Sequence, residues 1–270
     1  MRESAFDRAD HKAKTNQNIA EHETNYDSID FGYRTVQRSD KAGLVREVFN
    51  SVADRYDLMN DLMSGGVHRI WKSAMIDWMA PQPHSKLIDL AGGTGDISMR
   101  FLSNGGGLAC ITDINQAMLQ VGRGRRDLQR MASQISWCVA DAELLPFESQ
   151  IADFVTIAFG LRNITDRQAA LSEAYRILKP GGRFLCLEFS HVQNRPLAKL
   201  YDSWSFNILP FMGQMITGDA NSYRYLAESI RTFPSKEVLA DMFAQAGFAQ
   251  VRVRSLSAGI ACIHSGWKLD

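Results

Sequence analysis

Lys86-Leu87-Ile88-Asp89-Leu90-Ala91-Gly92-Gly93-Thr94-Gly95-Asp96 reads as a short apolar strand running into a glycine-rich turn, and residues 97–102 read as the helix that follows. Strand, glycine turn and helix in that order form a nucleotide-binding turn. Glycines at 92, 93 and 95 let the backbone bend sharply and come within van der Waals reach of a ligand. Asp89 precedes the turn at the carboxyl end of the strand, the edge at which open α/β sheets bind their ligands. The G-x-G-x-x-G register of dinucleotide-binding folds is not met: counted from Gly93 it needs glycine at 98, where the chain has Ser98.

Downstream, strand and helix patterns alternate. A second strand, 108–112, ends at Asp113, roughly 20 residues past the turn, where an acid is placed to accept both hydroxyls of a ribose. The same acid could instead cap a helix beginning near Asn115. A third strand, Ile135–Val139, leads into Ala140-Asp141-Ala142-Glu143-Leu144-Leu145-Pro146-Phe147. Asp141 there can accept from an exocyclic amine while the Ala142 N–H donates to a ring nitrogen, which together read adenine; the alternative is an ordinary turn acid. Residues 153–159 are almost wholly apolar, as expected of a centre strand covered on both faces, and run into Gly160-Leu161-Arg162-Asn163. A helix over 169–178 stops at Lys179-Pro180-Gly181-Gly182, and 183–189 form the fifth strand. This alternation predicts a doubly wound, mainly parallel sheet. Ser235 reads as the N-cap of a helix over 236–246 with Gly247 after it, and 248–256 with 259–268 close the chain as a β-hairpin.

Upstream, Leu44, Val45, Val48, Phe49, Val52 and Tyr56 recur at helical spacing. After Ser64-Gly65-Gly66, a second helix carries Trp71, Met75, Trp78 and Met79 on one face. These helices, spanning 41–80, either pack in the core or form a lid over the ligand site. Residues 196–217 are rich in apolar and aromatic side chains, too interrupted to span a bilayer and too apolar for an exposed loop. They read as core packing or as the wall of an apolar substrate tunnel.

A chain of 270 residues with 45% hydrophobic content supports one α/β domain with decorations, taken as 31–270. Thirty basic and thirty acidic residues cancel, so no overall field favours nucleic acid or an anionic membrane. Cys110, Cys138, Cys186 and Cys262 form no C-x-x-C pair and read as buried free thiols, and the six histidines lack metal-ligand spacing. No metal is expected. With no apolar run of about 18 residues and no signal-peptide core, a cytoplasmic protein is expected. Residues 1–30, polar and of mixed charge, read as a disordered tail.

Several strings together resemble one family: Val52-Ala53-x-x-Tyr56-Asp57-x-Met59-Asn60-Asp61, Ala91-Gly92-Gly93-Thr94-Gly95-Asp96, Ala140-Asp141-Ala142-Glu143-x-Leu145-Pro146-Phe147, Phe159-Gly160-Leu161-Arg162-Asn163, Leu178-Lys179-Pro180-Gly181-Gly182 and Leu187-Glu188-Phe189-Ser190. From Phe31 to the carboxyl terminus the chain is similar to the ubiquinone and menaquinone biosynthesis C-methyltransferases. The resemblance implies a Rossmann-like class I fold, a mainly parallel seven-stranded sheet with a helical lid, and methyl transfer from S-adenosylmethionine. The implied acceptor is a ring carbon of 2-polyprenyl-6-methoxy-1,4-benzoquinol, or of demethylmenaquinol, a naphthoquinol. It further implies cofactor contacts at Gly93, Thr94, Gly95, Asp113, Asp141 and Ala142. Ala158 departs from the serine of many relatives, which removes a side-chain hydrogen bond there.

Carbon methylation needs an electron-rich ring, so a quinol hydroxyl must lose its proton and its oxyanion must be stabilised. Arg162 and Asn163, at the ligand edge after the fourth strand, are the candidate catalytic residues; Arg162 could instead serve a structural ion pair. Arginine is a poor base, so a water held by Arg162, or His191, or Tyr201, is left to take the proton. An O- or N-methyltransferase acting on another lipid-like acceptor, and a non-catalytic subunit of a quinone-synthesis assembly, are the competing readings. A homodimer and peripheral contact with the inner face of the membrane remain open as partners; nucleic acid is not expected.

Overall fold

The computed structural model describes residues 27–52, 60–61, 64–192 and 220–270, with 196, 199, 201, 203–208, 211, 214 and 215 between the last two stretches. It begins with an antiparallel hairpin, Ser28–Phe31 (β1) on Arg34–Gln37 (β2). Residues 28–30, expected in a disordered tail, are therefore strand; the rest of that tail up to 26 lies outside the described residues. Helix Arg38–Val52 (α1) follows, with Val45 buried and Leu44, Val48 and Phe49 packed against the core. Helix His68–Met79 (α2) buries Trp71, Met75, Ile76 and Met79 on one face. Each of those side chains contributes about 1.5–3 kcal/mol by leaving water, so α2 is a core element. The proposed lid residues Tyr56 and Asp57 lie outside the described residues.

The remaining elements are Lys86–Leu90 (β3), Asp96–Ser103 (α3), Leu108–Asp113 (β4), Gln116–Gly124 (α4), Arg126–Gln129 (α5), Ile135–Val139 (β5), Ala152–Ala158 (β6), Arg167–Ile177 (α6), Leu178–Phe189 (β7), Ala220–Arg231 (α7), Lys236–Gln245 (α8), Ala249–Leu256 (β8) and Ala261–Trp267 (β9). Seven strands pair in the order β5-β4-β3-β6-β7-β9-β8. β3 to β7 are parallel to one another, and β9 runs antiparallel between β7 and β8. β7 starts at Leu178 rather than at 183, because Leu178 already pairs with Ala152. The side-chain alternation of a strand assigns the two faces: Leu87, Leu185 and Leu187 join Trp71, Met75 and Phe101 on one side. Ile88, Phe184 and Cys186 join Leu171 and Phe243 on the other. β3 and β6 are covered on both sides, which explains their unbroken apolar runs. Among the described residues no helix is long and apolar enough to cross a membrane.

The strand order reverses between β3 and β6. Register pairs Asp89 with Ile111 of β4 and with Thr156 of β6, so the carboxyl ends of the three strands lie side by side. A crevice forms above such a reversal because the chains leaving adjacent strands depart in opposite directions.

Candidate active site

The crevice is held open by backbone geometry. Ala91 and Phe159, the residues after β3 and β6, both take left-handed φ values, 47° and 58°, a conformation that costs a residue with a side chain of order 1–3 kcal/mol. Between them the strands close so tightly that a Cβ on Gly160 would sit 2.7 Å from that of Ala91. Within the turn, a Cβ on Gly92 would stand 2.9 Å from Ile111 and 3.0 Å from the Asp89 carboxylate. Asp89 itself lies beneath the turn, fully buried, accepting hydrogen bonds from Ser98 at 2.9 Å and Thr156 at 2.7 Å. Burial pushes its carboxyl up to about 6 against those bonds. Its role is to support the turn from below.

Asp113 is the acid the turn is tied to. Its Oδ2 accepts the Gly93 N–H at 3.0 Å and its Oδ1 accepts the Asn115 N–H at 2.8 Å. Burial pushes this carboxyl up to about 6, opposed by the two backbone bonds. Each oxygen keeps a further lone pair for a ligand hydroxyl. The helix cap considered for Asp113 belongs instead to Asn115, whose side chain accepts the Ala117 N–H at 2.9 Å.

The cavity these residues frame encloses about 790 Å³ of space, open solvent at its mouth included. Asp113, Asp141, Ala142 and Asn163 line it, together with Met118, Phe159 and, from α1, Val45, Arg46 and Phe49. Four of the eight residues singled out in the sequence therefore face the cavity. The other four do not. Gly93 contributes its N–H to Asp113. Thr94 is buried, with Arg125 donating to its hydroxyl at 3.4 Å. Gly95 starts α3 at φ 83°, where Ile111 and Leu128 occupy the space of a Cβ at 2.9 and 3.0 Å.

Arg162 is turned away from the cavity. It is fully buried, paired to Glu188 of β7 at 3.0 Å, and its Nη1 also donates to the Phe159 carbonyl. The structural alternative for Arg162 is thus realised, while its Nε and Nη2 are buried with no hydrogen-bond partner among the described residues. Of the two side chains considered as bases, His191 is exposed, and burial pushes the Tyr201 phenol up to about 12, which disfavours a phenolate.

The contribution of α1 was only partly legible. Its helix was evident, but Arg46 gives no sequence signal that it borders a ligand. The structure fastens α1 across the cavity at both ends: Arg38 pairs with Asp166 at 2.7 Å, and Asn115 donates to Asn50 at 2.9 Å. Lys41 reaches the Ile164 carbonyl at 3.5 Å, and burial lowers its ammonium to about 8. Glu143 closes the wall by accepting the Thr165 and Asp166 N–H groups, both at 2.9 Å. A second groove of about 490 Å³ counting its open side is lined by Val67, Trp71, Tyr201, Trp204 and Ile260 with Ser64 and Ser257. Its Trp71 ring lies 6.4 Å from the ring of Phe159, which lines the cavity, and its indole N–H donates to Ser257. Ten of the 22 residues in the 196–217 stretch lie outside the described residues; within it Tyr201 is buried and Phe211 and Met215 are exposed.

A family model described as the ubiE/COQ5 methyltransferase family matches residues 34–268. The ubiquinone/menaquinone biosynthesis C-methyltransferase UbiE of Acidiphilium cryptum is 57% identical over 247 residues, 92% of this chain and 99% of that protein. The protein of the same name from Cereibacter sphaeroides is 55% identical over 240 residues, 88% and 96% of the two chains. Among solved structures, phosphoethanolamine N-methyltransferase 2 of Haemonchus contortus, determined with S-adenosylhomocysteine, superposes with a TM-score of 0.61 at 16% identity, over 83% of this chain and 60% of that one. A Thermotoga maritima S-adenosylmethionine-dependent methyltransferase gives 0.58 at 19% identity, over 82% and 98%. At such identities the structural likeness speaks for the Rossmann-like class I fold alone.

Proposed function

The chain belongs to the ubiE/COQ5 methyltransferase family and is an S-adenosylmethionine-dependent methyltransferase, and on that premise we propose that it methylates a ring carbon of a polyprenylated quinol. The observation that carries this reading is the cavity that joins a half-buried, doubly braced Asp113 to Asn163 on one side and to an aromatic wall on the other. Asp113 would hold the ribose hydroxyls, and Asp141 with the Ala142 N–H the adenine edge, against the apolar surfaces of Met118 and Phe49. S-adenosylmethionine supplies an electrophilic methyl group when bound. The chain's own part is to position the quinol ring, keep water out under α1 and stabilise the oxygen that loses its proton. Asn163 lines the cavity and is assigned to that oxygen. Arg162 supports the site from behind, its buried positive charge paired with Glu188 of β7.

The second groove is assigned to the isoprenoid tail. A chain of methylenes and methyls in an aromatic channel gains about 0.8 kcal/mol for each buried methylene, and Trp71 and Trp204 offer that surface. Ile208, Phe211 and Met215, exposed on the same stretch of chain, are assigned to contact with the membrane surface from which such an acceptor is taken. The deciding experiment incubates the purified chain with S-adenosylmethionine and short- or long-tailed quinols and locates the new methyl group by mass spectrometry and NMR. A C-methyl product, with Trp204→Ala losing kcat/KM selectively on the long-tailed acceptor, is expected. An O-methyl product overturns the reaction assignment, and equal loss on both acceptors overturns the tail groove.

A further inference from the structure

Asn163 reaches the cavity from a single turn of 3-10 helix, Leu161–Asn163, and its amide is held from behind. The Tyr225 hydroxyl, on α7, lies 3.1 Å from Asn163 Oδ1. Tyr225 is buried, and its ring stacks on Phe31 of β1 with centroids 4.2 Å apart, so the hydroxyl cannot swing away without breaking that stack. The sense of the hydrogen bond follows from counting donors and acceptors. If the amide were reversed, Nδ2 would donate to the phenol oxygen, and the buried phenol proton would lose the acceptor it has in the structure. With Oδ1 accepting from Tyr225, the phenol proton has its acceptor. Burial pushes the phenol above the usual tyrosine range, so the hydroxyl keeps its proton and remains a donor. The end of the amide not engaged by α7 is then Nδ2, which can only donate.

We propose that Tyr225 is a positioning residue for the methyl transfer: it locks the Asn163 amide with its two N–H donors available to the acceptor oxygen, and it bars the orientation that would present a carbonyl to a developing oxyanion. The inference rests on the assignment of Asn163 to the acceptor oxygen made above. It gives the amino-terminal hairpin a part in the chemistry, because Phe31 holds the ring that holds the amide. An oxygen that gains negative charge as its proton leaves is stabilised by donors already aimed at it, and a freely rotating amide would lose much of that advantage to reorientation.

Tyr225→Phe keeps the ring and the stack and removes only the hydroxyl. It is tested alone, with Asn163→Ala, and in the double variant, using S-adenosylmethionine and a short-tailed quinol, with calorimetric titration of S-adenosylhomocysteine as the measure of an intact cofactor site. Tyr225→Phe is expected to lower kcat about tenfold, the kinetic equivalent of one lost hydrogen bond, with S-adenosylhomocysteine affinity unchanged. In the Asn163→Ala background it is expected to have less than about a twofold further effect, because the group it positions is gone. Asn163→Asp, which still accepts from Tyr225 but offers the acceptor oxygen a carboxylate, is expected to lose about 100-fold or more in kcat. Wild-type kcat for Tyr225→Phe alongside an impaired Asn163→Ala overturns the positioning role and leaves the Asn163 assignment standing. Multiplicative effects in the double variant overturn it likewise. Wild-type kcat for Asn163→Ala, or an active Asn163→Asp, overturns the Asn163 assignment and the inference with it.

Discussion

Asp113→Asn changes a carboxylate into an amide of the same shape, and the surrounding donors decide what that does. Asp113 accepts the Gly93 N–H at 3.0 Å through one oxygen and the Asn115 N–H at 2.8 Å through the other. An asparagine must set its NH2 against one of those two amides, donor facing donor, and it offers a ribose one acceptor where the carboxylate offers two. Charge-assisted hydrogen bonds contribute about 1.5–3 kcal/mol, so S-adenosylhomocysteine should bind roughly 10- to 150-fold more weakly. The pH dependence sharpens the test. Burial places the free Asp113 carboxyl at about 6, and its proton competes with the ribose hydroxyls. Affinity in the wild type should be level above pH ~7 and about tenfold weaker at pH 5, as linkage requires for one proton bound in competition. The asparagine variant should lose that slope. Asp89 also titrates at about 6 but remains in the variant, so any slope that survives belongs to it. Calorimetric titration at half-unit steps from pH 5 to 8 measures both effects. A folded Asp113→Asn protein that binds with wild-type affinity, or that keeps the wild-type slope, refutes the ribose assignment.

Three further outcomes follow from the same geometry. The Asp89 carboxyl is raised in the folded chain from 3.8 to about 6, so its contribution to stability is fully present below pH ~4 and is lost as pH rises through 6. Urea unfolding of the wild type and Asp89→Asn should therefore differ by about 3 kcal/mol more in the variant's favour at pH 7 than at pH 4; a pH-independent difference contradicts this. Gly95→Ala forces a side chain into φ 83° with Ile111 and Leu128 about 3 Å from its Cβ, and is expected to destabilise by about 2–4 kcal/mol; a Tm within 2 °C of wild type, where that loss implies roughly 4–16 °C, would show that the turn yields. Arg162→Ala strands a buried Glu188 and should cost about 3–5 kcal/mol of stability, whereas Arg162→Met with Glu188→Gln should cost much less. If the stable double variant turns over quinol at the wild-type rate, Arg162 acts only through stability.

Local chemistry in the sequence was enough for the elements and for part of the site. The apolar run of β3, the glycines that follow it and the acid at the end of β4 obey rules of period and turn geometry that operate within a dozen residues, and the structure places all three where those rules put them. The resemblance carried by the longer strings led to the family, which a match over residues 34–268 shows. What the sequence could not reveal is which of two similar apolar faces goes where. α1 and α2 both present aromatic and aliphatic residues at helical spacing, yet α1 borders the cavity and α2 buries its apolar face in the core, because that choice depends on which sheet face each helix meets. The insertion of β9 between β7 and β8 was equally hidden, since a hairpin pattern does not say which of its strands will join the sheet.

The same limit governed the catalytic residues. Arg162 and Asn163 are neighbours in the chain and were read together, but folding sends one side chain inward to Glu188, 26 residues away, and leaves the other on the cavity with its amide bonded to Tyr225, 62 residues away. By itself the sequence determined the turn, the strand ends and the residue types that suit an adenosyl ligand, because each is set by backbone conformation within one element. Tertiary structure alone decided where each polar side chain points, because a buried donor must find its acceptor wherever the chain returns to supply one.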